Sequence, residues 1–127
     1  MKKSNEDWKK ELSEDQYKVL REQATEAPFS GEYNLHFEEG QYTCAGCGTE
    51  LFNSKGKFDA GCGWPSFYEP TNNDVIIVRE DRSHGRIRKE ILCRNCEGHL
   101  GHVFDDGPIE TGLRYCVNSL SLNFKKK

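Results

Sequence analysis

Residues 113–124 read Leu113-Arg114-Tyr115-Cys116-Val117-Asn118-Ser119-Leu120-Ser121-Leu122-Asn123-Phe124, and the alternation along this stretch decides the fold class. Successive side chains of a strand point to opposite faces. Leu113, Tyr115 and Val117 share one face; Arg114, Cys116 and Asn118 share the other. Farther on, the apolar residues are Leu120, Leu122 and Phe124, so the parity switches. One last strand from Leu113 to about Phe124 would then carry a bulge near Asn118-Ser119 or be covered on both faces. In either case a cysteine sits beside an arginine and an asparagine in a strand that is otherwise core. That is an unusual place for a merely structural residue.

Upstream, the signals are again short strands and turns. Gln41 to Cys44 is extended, and Glu50 to Phe58 carries Gly56 in a turn context. Val75 to Asp81 and Arg86 to Leu92 read as a hairpin around Ser83-His84-Gly85. On its second arm Ile87 and Ile91 take one face, with Arg86, Arg88 and Glu90 on the other. The first thirty residues read as helical and polar, with a capping box at Ser13 and Gln16. Tyr17, Leu20 and Ala24 follow at helical spacing, and Ala27-Pro28-Phe29-Ser30-Gly31 ends the helix. The expected class is mainly β: an all-β domain with one helical appendage packed on it as a lid. A single domain over 1–127 is expected, with its helical segment at about 8–27 and its β part at about 40–124.

Composition narrows the function. Hydrophobic residues make up 35% and charged residues 31%, so a modest core would gain from a metal pin. The net charge is −3 and the sequence pI about 5.8, which argues against a nucleic-acid module. Met1-Lys2-Lys3 leads into polar and acidic residues, with no apolar leader, and the longest aliphatic run is Val75-Ile76-Ile77-Val78. A cytoplasmic protein with no membrane or nucleic-acid partner is expected. In a reducing compartment six cysteines are better read as metal ligands or reactive thiols than as a disulfide framework.

Four of them form two CxxC pairs, Cys44-Ala45-Gly46-Cys47 and Cys93-Arg94-Asn95-Cys96. Two intervening residues let a tight turn aim both sulfurs at one ion, and Zn2+ accepts four thiolates in a tetrahedral shell. Gly48 and Gly98 would ease the two turns. A thioredoxin-like redox CxxC lacks the surrounding βαβ pattern here. A closed four-cysteine shell leaves no open position, so one structural zinc is expected.

Cys62 and Cys116 remain. Gly61-Cys62-Gly63-Trp64-Pro65 is a flexible loop that stiffens at Trp64-Pro65, whereas Cys116 is held in a strand near Arg114. A nearby cation favours the nucleophilic thiolate. One fixed thiolate and one mobile thiol suit a two-step redox cycle through a sulfenic acid and a disulfide. The alternative is a pair of buried inert cysteines. His99 and His102 suggest proton handling or a second metal site; no carboxylate at a helical offset supports the latter. His36 and His84 read as surface residues, and Trp64 and Phe67 as core aromatics or a wall for an apolar ligand. A non-catalytic zinc module and a histidine-based hydrolase are the competing functions. The first leaves Cys62 and Cys116 without a role, and the second lacks a third ligand.

Gly61-Cys62-Gly63-Trp64-Pro65-Ser66-Phe67, Gly98-His99-Leu100-Gly101-His102-Val103-Phe104 and Arg114-Tyr115-Cys116-Val117-Asn118 together resemble the methionine-(R)-sulfoxide reductases of the B type. Leu12-Ser13-Glu14-Asp15-Gln16-Tyr17 and Pro28-Phe29-Ser30-Gly31-Glu32-Tyr33 also look like that family's opening. The resemblance spans roughly residues 8–124. It implies two antiparallel sheets, Cys116 as nucleophile and Cys62 as resolving cysteine. It implies Trp64 and Phe104 as substrate-binding residues, with Trp64 an apolar wall for the methyl group. His99, His102 and Asn118 would organise water and a proton, and Arg114 would hold the thiolate. Cys44, Cys47, Cys93 and Cys96 would bind structural zinc. The implied partners are methionine-(R)-sulfoxide in oxidised proteins or peptides and thioredoxin as reductant, with the chain acting as a monomer.

Overall fold

The computed structural model describes residues 4–82, 85–108 and 110–127. Met1 to Lys3, and the Ser83-His84 turn together with the surface reading of His84, lie outside the described residues. Two helices open the chain, α1 at Asn5–Glu11 and α2 at Glu14–Glu22. Ser4 caps α1 by accepting from Asp7 N at 3.2 Å. The expected capping box opens α2: Ser13 Oγ accepts from Gln16 N, and Ser13 N donates to Gln16 Oε1, both at 3.1 Å. The helical reading as far as Ala24 is corrected. Gln23 turns left-handed at φ 58°, and Ala24 N donates back to Lys18 O at 3.0 Å, closing the last turn.

Among the described residues nine strands follow: β1 Gly40–Cys44, β2 Glu50–Asn53, β3 Lys57–Phe58, β4 Ser66–Phe67, β5 Ile76–Asp81, β6 Arg88–Cys93, β7 His99–Phe104, β8 Arg114–Val117 and β9 Leu122–Lys126. They form two antiparallel sheets, one ordered β2-β1-β9 and one ordered β3-β4-β8-β7-β6-β5. The hairpin of β5 and β6 is present, paired from Ile76↔Cys93 to Asp81↔Arg88. Ile87 falls outside it and is 69% exposed, whereas Ile91 is fully buried.

The single last strand is corrected too. The chain leaves the six-stranded sheet after Val117, makes a short 3-10 turn at Ser119–Ser121, and enters the three-stranded sheet at Leu122. Asn118 N donates to Leu100 O at 2.9 Å, Ser121 N to Asn118 O at 3.0 Å, and Ser121 Oγ to His99 O at 2.9 Å. The parity switch therefore marks a crossing between sheets.

Tyr42, Phe52, Phe67, Tyr115, Val117 and Leu122 fill the core between the sheets. Phe52 stacks on Phe67 with centroids 4.4 Å apart, which makes Phe67 a core residue. Each such burial stabilises by about 1.5–3 kcal/mol. His36, expected on the surface, is half-buried: its Nδ1 lies 2.8 Å from Tyr42 Oη and its ring packs edge-on against Phe124. Helix α2 buries Tyr17, Val19 and Leu20, packing on β7 and the 119–121 turn. Among the described residues no helix is long and apolar enough to cross a membrane.

Candidate active site and metal centre

Residues paired across an antiparallel ladder share a face. The register aligns Glu90, His102, Cys116 and Ser66 across β6, β7, β8 and β4, with Asp81↔Arg88 and Phe104↔Arg114 one step along. One face of the six-stranded sheet thus gathers most of its chemistry-bearing side chains. The loop before β4 brings Cys62 onto this face, with its Sγ 3.2 Å from Cys116 Sγ and 3.3 Å from Ser66 Oγ. Gly63, at φ 91°, lets the chain pass beneath residues 28 and 29; a Cβ there would press on Pro28 and on Phe29 N. Phe29 N donates to Gly63 O at 2.7 Å, so the segment after α2 straps this loop down.

Arg114 anchors the charge. Its Nε and Nη2 donate to the two oxygens of Asp106 at 2.9 and 3.2 Å, and its Nη1 donates to Cys116 Sγ at 3.1 Å. Its guanidinium also lies 4.5 Å from the centroid of Phe104. The two thiols titrate as a unit. Hydrogen bonding from Cys116 lowers the Cys62 thiol to about 5, with Ser66, the Trp64 backbone and Arg114 acting in the same direction against burial. The same contact to Cys62, together with burial, pushes the Cys116 thiol upward, and Arg114 opposes that rise. One proton is thus shed in the acid range and the other is retained between two sulfurs in contact.

The histidines owe their placement to a bulge. In a regular strand His99 and His102, three residues apart, would face opposite ways. Between β6 and β7, however, Ile91 pairs with Gly101 and Leu92 with His99, leaving Leu100 as the extra residue. Both rings reach the same side and meet edge-on at 5.6 Å. His99 Nδ1 lies 2.6 Å from Glu90 Oε2, which also accepts from Gln23 Nε2 at 2.7 Å. Burial opposes ionisation of Glu90, but these two bonds outweigh it and hold the carboxyl below its usual range. His99 Nε2 is buried and has no hydrogen-bond partner among the described residues. His102 Nε2 lies 2.8 Å from Asp81 Oδ2; burial pushes this imidazole below its usual value, partly offset by Asp81.

Asn118 acts as a clamp: its Nδ2 donates to Leu100 O and its Oδ1 accepts from Glu26 N, both at 3.0 Å. Glu26 also takes Trp64 Nε1 on its carbonyl at 3.0 Å and Leu120 N on its carboxylate at 2.9 Å. Glu26, Asp81, Glu90 and Asp106 all escaped sequence reasoning. Their partners lie on other strands or across the chain, and no local spacing announces them. Trp64, Phe104, Cys62, Cys116, His102 and Arg114 line one cleft of about 270 Å³, together with Asn118, Arg86 and Arg88. Two larger hollows, of about 570 and 580 Å³, are lined by no cysteine.

The other four cysteines line no part of this cleft, and their sulfurs meet one another instead. Cys44, Cys47, Cys93 and Cys96 place all their Sγ atoms within 4.8 Å of one another, with Cys44–Cys96 at 3.6 Å and Cys47–Cys93 at 3.5 Å. A tetrahedral Zn–S shell at about 2.3 Å has edges near 3.8 Å, so the donor set, its number and its size fit zinc. Gly48 makes the first turn at φ 82°, as expected, but in the second Glu97 takes the left-handed position at φ 59°, with Glu97 N donating to Cys93 O. Gly98 has a different task, passing Leu20 and Cys96 where a side chain would collide. The helices brace the site: Arg21 Nη1 donates to Cys96 O at 2.8 Å, and its guanidinium lies 5.0 Å from the centroid of Trp8.

The family model described as the SelR domain matches residues 12–126. The chain is 58% identical over 125 residues to a peptide methionine sulfoxide reductase MsrB of Bradyrhizobium diazoefficiens, covering 98% of this chain and 90% of that protein. It is 54% identical to the protein of that name from Leptospira interrogans and 55% identical to the one from Thiobacillus denitrificans, each over 98% of this chain and 95% of the relative.

Proposed function

This chain belongs to the SelR-domain family, the B-type peptide methionine sulfoxide reductases, and on that premise we propose how its six cysteines divide the reduction of methionine-(R)-sulfoxide between them. Cys116 attacks the sulfoxide sulfur as a thiolate, its proton passing to the Cys62 sulfur 3.2 Å away. The oxygen passes to Cys116 as a sulfenic acid with uptake of a proton, and methionine leaves. The Cys62 thiol then displaces that oxygen as water, forming a Cys62–Cys116 disulfide. Thioredoxin, supplying two electrons as a dithiol, restores both thiols.

The observation that carries this reading is the 3.2 Å contact between Cys62 and Cys116, with Arg114 donating to the latter. A disulfide measures about 2.0 Å, so the resolving step needs only a small approach of the Cys62 loop. A sulfoxide oxygen leaves only when protonated or strongly hydrogen-bonded, and His102 supplies that; its position on the cleft wall, backed by Asp81, supports this role. His99, backed by Glu90, orients it from behind, and Asn118 holds the bulge at Leu100. Trp64, steered by the Glu26 carbonyl, and Phe104 form the apolar walls that take the methyl group.

Cys44, Cys47, Cys93 and Cys96 would hold one Zn2+, which supplies a cross-link between two distant turns and no open position for chemistry. The reading extends to one domain over residues 1–127, acting as a monomer in the cytoplasm, where thiols stay reduced.

The test is mass spectrometry after one turnover on a methionine-(R)-sulfoxide peptide. A Cys62–Cys116 linkage is expected, and Cys116→Ser abolishes turnover. Cys62→Ser completes one stoichiometric round and then stalls with thioredoxin. Full activity of Cys116→Ser would overturn the mechanism, and normal cycling of Cys62→Ser would remove Cys62 as resolver.

A further inference from the structure

The cleft has an electrostatic character that the reaction itself does not require. Three arginines line it, Arg86, Arg88 and Arg114, and its lining contains no carboxylate. This contrasts with the net charge of −3 over the whole chain. Arg114 is committed, its guanidinium divided between Asp106 and Cys116. Arg88 is only partly matched: its Nη2 reaches Asp81 Oδ2 at 3.5 Å, and that same oxygen already serves His102 at 2.8 Å. Its Nε is buried with no hydrogen-bond partner. Arg86 is exposed at the rim and has no carboxylate partner among the described residues. Arg86 thus holds unspent positive charge at the cleft rim, and Arg88, paired to Asp81 through one nitrogen, keeps its Nε without a partner on the same side.

We propose that the cleft recognises a carboxylate adjoining the sulfoxide, with Arg86 and Arg88 as its receptors. The preferred substrate class is then methionine-(R)-sulfoxide with an acidic neighbour, or with its own free α-carboxylate. This rests on the reading of the cleft as the substrate site. The Arg114 guanidinium cannot serve, because moving it would uncouple Cys116 from its cation. The charge at Arg86 is exposed, so its contribution is a rim effect that grows at low salt and fades as screening sets in.

The experiment compares kcat/KM for capped peptides of equal length bearing Asp, Asn or Lys on either side of methionine-(R)-sulfoxide. A second pair ends at the sulfoxide residue, as free acid or as amide. A small dithiol serves as reductant. At low salt the Asp peptide is expected to exceed the Asn peptide by about threefold, in line with an exposed ion pair, with Lys below both. The advantage shrinks at about 0.5 M salt. A matching advantage of the free acid over the amide places the α-carboxylate among the ligands; its absence assigns the preference to side-chain carboxylates. Arg86→Gln should bring the Asp-to-Asn ratio toward one, and Arg86→Glu should invert the order of Asp and Lys. Equal rates on every peptide at low salt would overturn the inference while leaving the reductase reading intact. So would a preference for Asp that survives in Arg86→Glu. Failure to reduce any peptide would instead strike the reading on which it rests.

Discussion

Arg114→Gln, made in a Cys62→Ser background so that Cys116 titrates alone, should separate the cation's role from that of the paired thiol. In the intact protein Arg114 Nη1 donates to Cys116 Sγ at 3.1 Å, and Asp106 holds the guanidinium over the Phe104 ring. A hydrogen bond to a charged group contributes about 1.5–3 kcal/mol. One pKa unit corresponds to about 1.4 kcal/mol, so losing this bond should raise the Cys116 thiol by roughly 1–2 units. Below both pKa values the thiolate fraction then falls about 10–100-fold. Intrinsic nucleophilicity rises with pKa at a Brønsted slope of about 0.5, so the net loss in rate is only about 3–10-fold. Above the new pKa the variant should match or exceed its parent. The assay is single-turnover reduction of a methionine-(R)-sulfoxide peptide across pH, with thiolate absorbance in the ultraviolet followed in parallel. Loss of activity at every pH, with an unmoved midpoint, would refute the electrostatic role and leave Arg114 as a packing residue.

Other expectations follow from the same geometry. Stripping metal with a strong chelator should lower Tm sharply, because structural zinc binding contributes on the order of 10 kcal/mol against a domain stability of similar size; calorimetry showing no shift would count against a structural ion at the four cysteines. In the intact thiol pair, alkylation rate plotted against pH should show one thiolate half-formed at about pH 5, since the Cys62 thiol is lowered to that value by Cys116. A single midpoint near that of a free thiol, about 8.5, would contradict the shared proton. Gly101→Ala should destabilise by about 1–3 kcal/mol in denaturant melts, because its Cβ would overlap the Cys116 carbonyl across β7 and β8. An unchanged midpoint would mean that the two strands are not as close as described.

The residues that carry the chemistry were legible where the signal is local. Each CxxC turn needs only its own spacing to aim two sulfurs one way, though the meeting of the two turns is tertiary, and a capping box closes within four residues. The glycine-flanked Cys62 and the strand-held Cys116 are likewise read from their neighbours. Even the parity switch near Asn118 was visible; what it meant was not, because a bulge and a passage between sheets leave the same mark on an alternating pattern. Tertiary structure alone decided that Arg114–Val117 and Leu122–Lys126 belong to different sheets. It alone brought Glu90 and Asp81 to the two histidines, Asp106 to Arg114, and Glu26 to Trp64 and Asn118. Each of these pairings depends on which strands lie side by side, in what register, and on one extra residue at Leu100. Sequence periodicity records which face a side chain takes along its own strand; its partner across the sheet is set by pairing energies summed over the whole assembled ladder.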